Sequence, residues 1–231
     1  MNELIIILAA ILPGIIIGVY IWRKDPQPEP IRLLLKAVVL GIVISFLIII
    51  VESALQIIIF GNGNSPTTLF GTTIDAFVIA ALTEESFKLL ALWWIISVNR
   101  YFDEHIDGIV YAVFVGLGFA MTENVMYLFD NIDSWQSVAC MRALFAVPAH
   151  YVFAVLMGYY YSLYHFVNHS KGNMVKILLV PVLAHGIYDA ILMGVNVAPA
   201  IGTIGTLIFI WFCYKMQIYA QEKIEEHIEN T

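Results

Sequence analysis

Residues 73–98, TIDAFVIAALTEESFKLLALWWIISV, decide how this chain folds. The run is long enough to cross about 30 Å of hydrocarbon, which takes about 20 helical residues, yet it carries Glu84, Glu85 and Lys88 at its middle. An ionised Asp, Glu or Lys at the centre of a spanning helix opposes insertion by roughly 2.5–3.5 kcal/mol. Glu123, His150, His185 and Asp189 repeat the conflict in later apolar segments. The five charged residues among these seven would together oppose insertion by roughly 12–18 kcal/mol if each stood alone. Neutralisation, mutual pairing or a shared ligand has to remove most of that, and an intramembrane reactive site is the leading explanation.

Outward from this run the composition keeps the same character. The chain is 61% hydrophobic and only 13% charged, with a mean hydropathy of +0.85, where soluble domains average about 25% charged. The expected fold is all-α, a polytopic membrane protein with about seven transmembrane helices at 3–22, 33–60, 73–98, 108–129, 138–165, 175–194 and 197–215. The first run is an anchor and not a cleavable signal, because Arg23 and Lys24 follow the apolar residues instead of preceding them. Pro148 and Pro181 interrupt the fifth and sixth segments, and Gly194, Asn196 and Pro199 divide the sixth from the seventh. Residues 1–215 read as one integral-membrane domain with its core site in 73–194, and 216–231 as a short, partly helical tail without identifiable chemistry.

Charge gives the orientation. With the N-terminus outside and the C-terminus cytoplasmic, nine of the eleven Lys and Arg residues fall in inner segments, and the outer connections near 61–72, 130–137 and 195–197 hold none. The net charge of −7 resides in the tail QEKIEEHIENT and in the buried carboxylates, so it indicates no nucleic-acid partner. Cys140 and Cys213 fall near opposite faces in this topology, which disfavours a disulfide or a thiolate metal site.

At 1.5 Å rise per residue, Glu85, Glu123, His150 and Asp189 lie about 13–15 residues from their inner helix ends and His185 about ten, a layer roughly 15–22 Å deep. Residues four apart share a helix face. Glu84 and Lys88 form one such pair, with Glu85 turned about 100° away, and His185 and Asp189 form another. Prolines at 148 and 181 free backbone carbonyls, which depth tolerates only beside protein or water. The chemistry this cluster suits is peptide hydrolysis, in which a glutamate takes a proton from water and a cation or imidazole stabilises the oxyanion. Two imidazoles and a carboxylate from separate helices would also suit a catalytic Zn²⁺ with one open position, although HExxH is absent.

EESFK at 84–88, DGIVYA at 107–112, GLGFAMTENVMY at 116–127, RALFAVPAH at 142–150 and HGIYD at 185–189 occur in this order over about 105 residues. In these motifs the chain resembles the PrsW family of bacterial intramembrane proteases, within the glutamate-dependent group that includes the CAAX-processing endopeptidases. Phe119 to Glu123 stands where the CAAX group has FxxxH, and Asp189 where that group often has Asn. The resemblance implies a multi-pass protease of the bacterial cytoplasmic membrane that makes the site-1 cut in a single-span anti-sigma factor, in response to envelope stress. It also implies catalytic roles for Glu84, Glu85, Lys88, Asn124 and Asp189, with His150, His185 and Glu123 as water or metal ligands.

Plainer roles are expected elsewhere. Lys88 also neutralises Glu84, Asp107 caps the fourth spanning helix, Glu52 and Asp75 are interfacial, and Arg142 pairs with Asp130 or Asp133 in preference to contacting substrate. Gly14, Gly18, Gly116 and Gly118 permit close helix packing. The rival readings are an ion-coupled transporter, which the absence of an internal repeat disfavours, and a non-enzymatic receptor or immunity protein.

Overall fold

A computed structural model describes residues 3–62, 64–198 and 202–230, and every regular element among them is helical. Seven rods follow in order. The first two are α1 (Glu3–Lys24) and α2 (Ile31–Phe60). The third is continuous through α3 (Leu69–Ile74), a π-helical segment (Asp75–Ala81) and α4 (Leu82–Ser97). The fourth is α5 (Asp107–Asp130). The fifth runs through α6 (Trp135–Met141), a second π segment (Arg142–Ala146), α7 (Val147–Ser162) and a closing π turn (Leu163–Val167). The last two are α8 (Lys171–Val197) and α9 (Gly202–Glu229). The chain is thus the expected all-α polytopic membrane protein. Five of the rods are long and apolar enough to cross a membrane as single helices. The third is divided by its π segment and the seventh turns polar halfway. The expected break at Pro199 lies outside the described residues.

Helices are the solution because lipid offers nothing to backbone N–H and C=O groups. Sequence then sets which face each rod buries. In α1 the buried residues Ile6, Ala10, Gly14 and Gly18 recur every four positions, while Ile5, Leu8, Leu12 and Ile16 stay exposed. That is a single protein-facing stripe on a helix otherwise given to lipid. By contrast, α5 is apolar all round and is buried at nearly every position from Asp107 to Ala120, which makes it the central post against which α1, α2, α4 and α7 pack.

Glycines bring these posts together. A Cβ on Gly118 would lie 2.2 Å from the Val38 carbonyl oxygen, and one on Gly41 2.1 Å from that of Val115, so α2 and α5 cross backbone to backbone. Gly14 abuts the Met121 side chain and Gly116 the Ala154 methyl, while Gly18 has ordinary room. The expected close packing holds for three of the four glycines.

One local expectation needs correction. Asp107 does not cap α5. The helix starts at Asp107 itself, and Oδ2 turns back to accept from the N–H groups of Asp103 and Glu104 at 3.0 and 2.7 Å. The residues after Lys215, expected to be partly helical, are helical as far as Glu229. They continue α9, which buries Ala220, Ile224 and His227, and His227 stacks on Tyr159 of α7 with ring centroids 4.4 Å apart. The helix survives the change to polar composition because those three residues keep a seven-residue contact stripe.

Candidate active site

The π segment Asp75–Ala81 leads directly into LTEESFK, and the second π segment leads into VPAH. A π turn holds one extra residue and re-aims the helix beyond it, as often happens beside functional sites. Here it sets the two halves of one constellation. Glu84, Glu85 and Lys88 come from α4, Glu123 and Asn124 from α5, Arg142 from the second π segment, His150 from α7, and His185 and Asp189 from α8.

Every site residue expected from sequence is in this constellation, and the bonds run unbroken through it. Lys88 Nζ donates to Glu84 Oε2 at 2.9 Å and to Glu85 Oε1 at 2.8 Å. It therefore holds both glutamates, although Glu85 had been expected to face elsewhere; at i,i+3 the long lysine reaches it as well. Glu85 Oε1 also lies 2.9 Å from His185 Nδ1, and His185 Nε2 lies 3.1 Å from Asp189 Oδ2. On the other side Lys88 Nζ lies 3.4 Å from His150 Nδ1, and His150 Nε2 lies 2.9 Å from Glu123 Oε2. If Lys88 donates to Nδ1, the ring's single N–H is the one given to Glu123.

Arg142 corrects an expectation. It does not meet Asp130 or Asp133; its Nη2 donates to Glu123 Oε2 and its Nε to Asn124 Oδ1, both at 2.6 Å. The reason is depth. Glu123 lies seven residues before the end of α5 and Arg142 eight residues after Ser134, so both descend about 10–12 Å from the hairpin at 1.5 Å per residue. Asn124 is buried and donates its Nδ2 to the Ala10 carbonyl at 3.0 Å, so it ties α1 to Arg142.

These groups surround a polar cavity of about 550 Å³. Glu84, Glu123, Arg142, His150, His185 and Asp189 line it, whereas Glu85 and Lys88 stand behind the wall. Glu52, Ser53 and Gln56 of α2 and Asp75 of the first π segment line it too. Glu52 and Asp75 had been expected at the interface. They had no partner within their own helices to mark them, and α2 is too long for depth counting to place Glu52 securely. An adjoining cleft of about 490 Å³ between α1, α7, α8 and α9 shares Ala149, Phe153 and Tyr188 with the cavity but is lined by no carboxylate, imidazole or amine.

A cation fits this arrangement. Ligand atoms of Glu84, Glu85 and His185 all lie within 4.8 Å of one another. Glu85 Oε2 is fully buried with no hydrogen-bond partner, a spare ligand atom facing no donor. Both His185 nitrogens face carboxylates, and a neutral imidazole has one N–H to give. If Asp189 receives it, the Nδ1 lone pair points at the glutamates, which is the carboxylate–histidine–metal pattern. Four carboxylates (Glu84, Glu85, Glu123, Asp189) also face only two fixed cations (Lys88, Arg142), a formal excess of −2 with neutral histidines. His150 and Glu123, expected as further ligands, pair with each other beside this group, with the two imidazole centroids 5.6 Å apart.

Comparison with known proteins gives the family. A family model described as PrsW family intramembrane metalloprotease matches residues 29–216. Protease PrsW of Oceanobacillus iheyensis is 34% identical over 227 residues, covering 98% of this chain and 97% of that protein. Protease PrsW of Clostridioides difficile is 36% identical over 196 residues, 83% of this chain and 80% of its own. That of Bacillus subtilis is 34% identical over 194 residues, 83% and 84% respectively. No solved structure matches. With its helical membrane fold, its buried acid–imidazole cavity and this family match, the chain belongs to the PrsW family of intramembrane metalloproteases and is a membrane peptidase.

Proposed function

We propose that the protein cuts a single-span membrane protein of the anti-sigma factor class by site-1 cleavage, with water activated at Glu84. The observation that carries this reading is the convergence of Glu84, His150 and His185 on one polar cavity inside apolar helices. Of the two glutamates, Glu84 is the base. It lines the cavity, and Lys88 and His185 approach it only through Oε2, at 2.9 and 3.9 Å, which leaves Oε1 for water. As the water oxygen attacks the scissile carbonyl, Glu84 takes its proton and then returns it to the leaving amine. Arg142, held by Glu123 and Asn124, supplies positive charge on the same wall for the oxyanion. Asp189 and Glu85 orient His185, and Lys88 keeps the two glutamates apart and neutralised.

Where Zn²⁺ is bound, Glu84, Glu85 and His185 would hold it, and it would supply Lewis-acid polarisation and a more acidic water. The protein is multi-pass, and we place it in the bacterial cell membrane with its N-terminus outside. Residues 1–215 form the protease domain and 216–231 its cytoplasmic end. The Lys and Arg asymmetry supports this orientation, which puts the catalytic layer nearer the outer face.

The test is cleavage of a panel of tagged single-span anti-sigma factors by the protein purified in detergent. The reading expects one defined cut, lost in Glu84→Ala and in His185→Ala. No cut by folded wild type, or a cut that survives both substitutions, would refute it.

A further inference from the structure

Besides the catalytic groups, the cavity is lined by a strip of α2 that the chemistry does not use. From Ala37 to Val51 this helix holds only Ser45 as a polar residue, and Ile57, Ile58 and Ile59 beyond the strip are exposed to lipid. Between them Glu52, Ser53 and Gln56 all line the cavity. An ionisable side chain in a spanning helix needs a functional reason, and Glu52 has no structural one. Among the described residues no ion pair holds it, and its Oε1 is fully buried without a hydrogen-bond partner. It nevertheless lies near enough to Glu84, Glu123, His185 and Lys88 for their charges to act on it.

The missing partner has a definite chemistry. A helical substrate satisfies its own backbone, so it must unwind before its scissile amide can meet Glu84. The N–H and C=O groups released then need partners, because at this depth an unpaired one costs several kcal/mol. Glu52 and Gln56 lie four residues apart, about 6 Å along α2. Alternate residues of an extended chain lie about 6.6 Å apart. A carboxyl oxygen that accepts and an amide that both donates and accepts, at this spacing, match the outward-facing backbone groups of one side of an extended peptide.

We propose that Glu52 and Gln56 form the docking edge for the unwound segment of the substrate, holding its backbone in the cavity that Glu84 lines. They are binding and positioning residues that do not share in the proton transfers. The proposal rests on the proteolytic reading above.

Two measurements on the full chain test it, with the anti-sigma factor that wild type cuts as probe. In the first, Glu52→Leu and Gln56→Leu are compared with wild type. Loss of one backbone hydrogen bond should raise KM about three- to tenfold while kcat stays within about twofold. In the second, a photo-crosslinking amino acid replaces Gln56 or the lipid-facing Ile58 in an inactive Glu84→Ala background. The adduct from position 56 should map within about three residues of the cut, and position 58 should give none there. If wild type cuts but both variants keep its KM, or position 56 captures nothing near the cut, the docking edge is refuted and the protease reading stands. If wild type cuts no substrate, both fall together.

Discussion

Replacing Lys88 with Met removes the ammonium from between two buried carboxylates while keeping most of the side chain's volume. Lys88 is 3% exposed, donates to Glu84 and Glu85 at 2.9 and 2.8 Å, and rests 4.3 Å from the centre of the Phe119 ring. Breaking a buried ion pair at one partner costs about 3–5 kcal/mol, because the other charge stays behind uncompensated. Domains of this size lose about 2–4 °C of Tm per kcal/mol, so Lys88→Met should melt about 6–20 °C below wild type in chelator. A divalent cation replaces what the ammonium supplied. At a hundred times its Kd, Zn²⁺ should return about 2.7 kcal/mol, and it should stabilise Lys88→Met at least as much as wild type. Thermal unfolding in detergent, with chelator and with added Zn²⁺, reads both effects. A Lys88→Met protein within about 1 kcal/mol of wild type in chelator would refute the claim that this lysine compensates the glutamates. A zinc response in neither protein would refute the assignment of Glu84, Glu85 and His185 as a cation site.

Other perturbations follow from the same contacts. Gly118→Leu places a side chain where even a Cβ would lie 2.2 Å from the Val38 carbonyl oxygen, so α2 and α5 should separate and folded yield in detergent collapse. Gly118→Ala should lose about 1–3 kcal/mol, and an unchanged Tm would contradict the crossing. Arg142→Met should cut turnover at least tenfold, and Arg142→Lys should restore only part of it, because one ammonium cannot hold Glu123 and Asn124 in the guanidinium's fixed fork. At the polar end of α9, burial among Tyr159, His105, Lys223 and Glu226 holds the His227 ring down to about 4 from its ordinary 6.5. The folded state therefore binds this proton less readily than the unfolded one. The contribution is complete above pH 6.5 and is lost as pH falls towards 4, by up to about 3 kcal/mol. Hydrogen exchange over residues 220–229, corrected for intrinsic rates, should accelerate between pH 7 and pH 5 in wild type but not in His227→Phe.

Much of the site was legible because it consists of exceptions to a rule. Charges in apolar helices stand out in one sequence, and i,i+4 spacing joined Glu84 to Lys88 and His185 to Asp189 before any coordinates. Counting residues from the inner helix ends placed four helices' contributions in one layer, and Glu84, Glu123, His150, His185 and Asp189 line one cavity. What failed was information that no single helix carries. Arg142 was matched to the nearest acids in sequence, whereas depth symmetry about the hairpin gives it Glu123. Glu52 looked interfacial because α2 has 30 residues, more than a bilayer requires, so neither its end nor the face it turns to the cavity could be read from its uniformly apolar pattern. The π segments also left no sequence trace, since each differs from α-helix only by one extra residue in a turn that packing selects.

The central claim is that Glu84, Glu85 and His185 form one hydrolytic, metal-competent site. Its most direct test measures zinc content and single-turnover cleavage on the same preparations of wild type, Glu84→Gln, Glu85→Gln and His185→Ala. The account predicts about one zinc per wild-type chain, cleavage lost on chelation and regained with Zn²⁺, and both properties lost or severely weakened in every variant. Full cleavage by a wild-type protein shown to be free of metal, or by a His185→Ala protein, would contradict it.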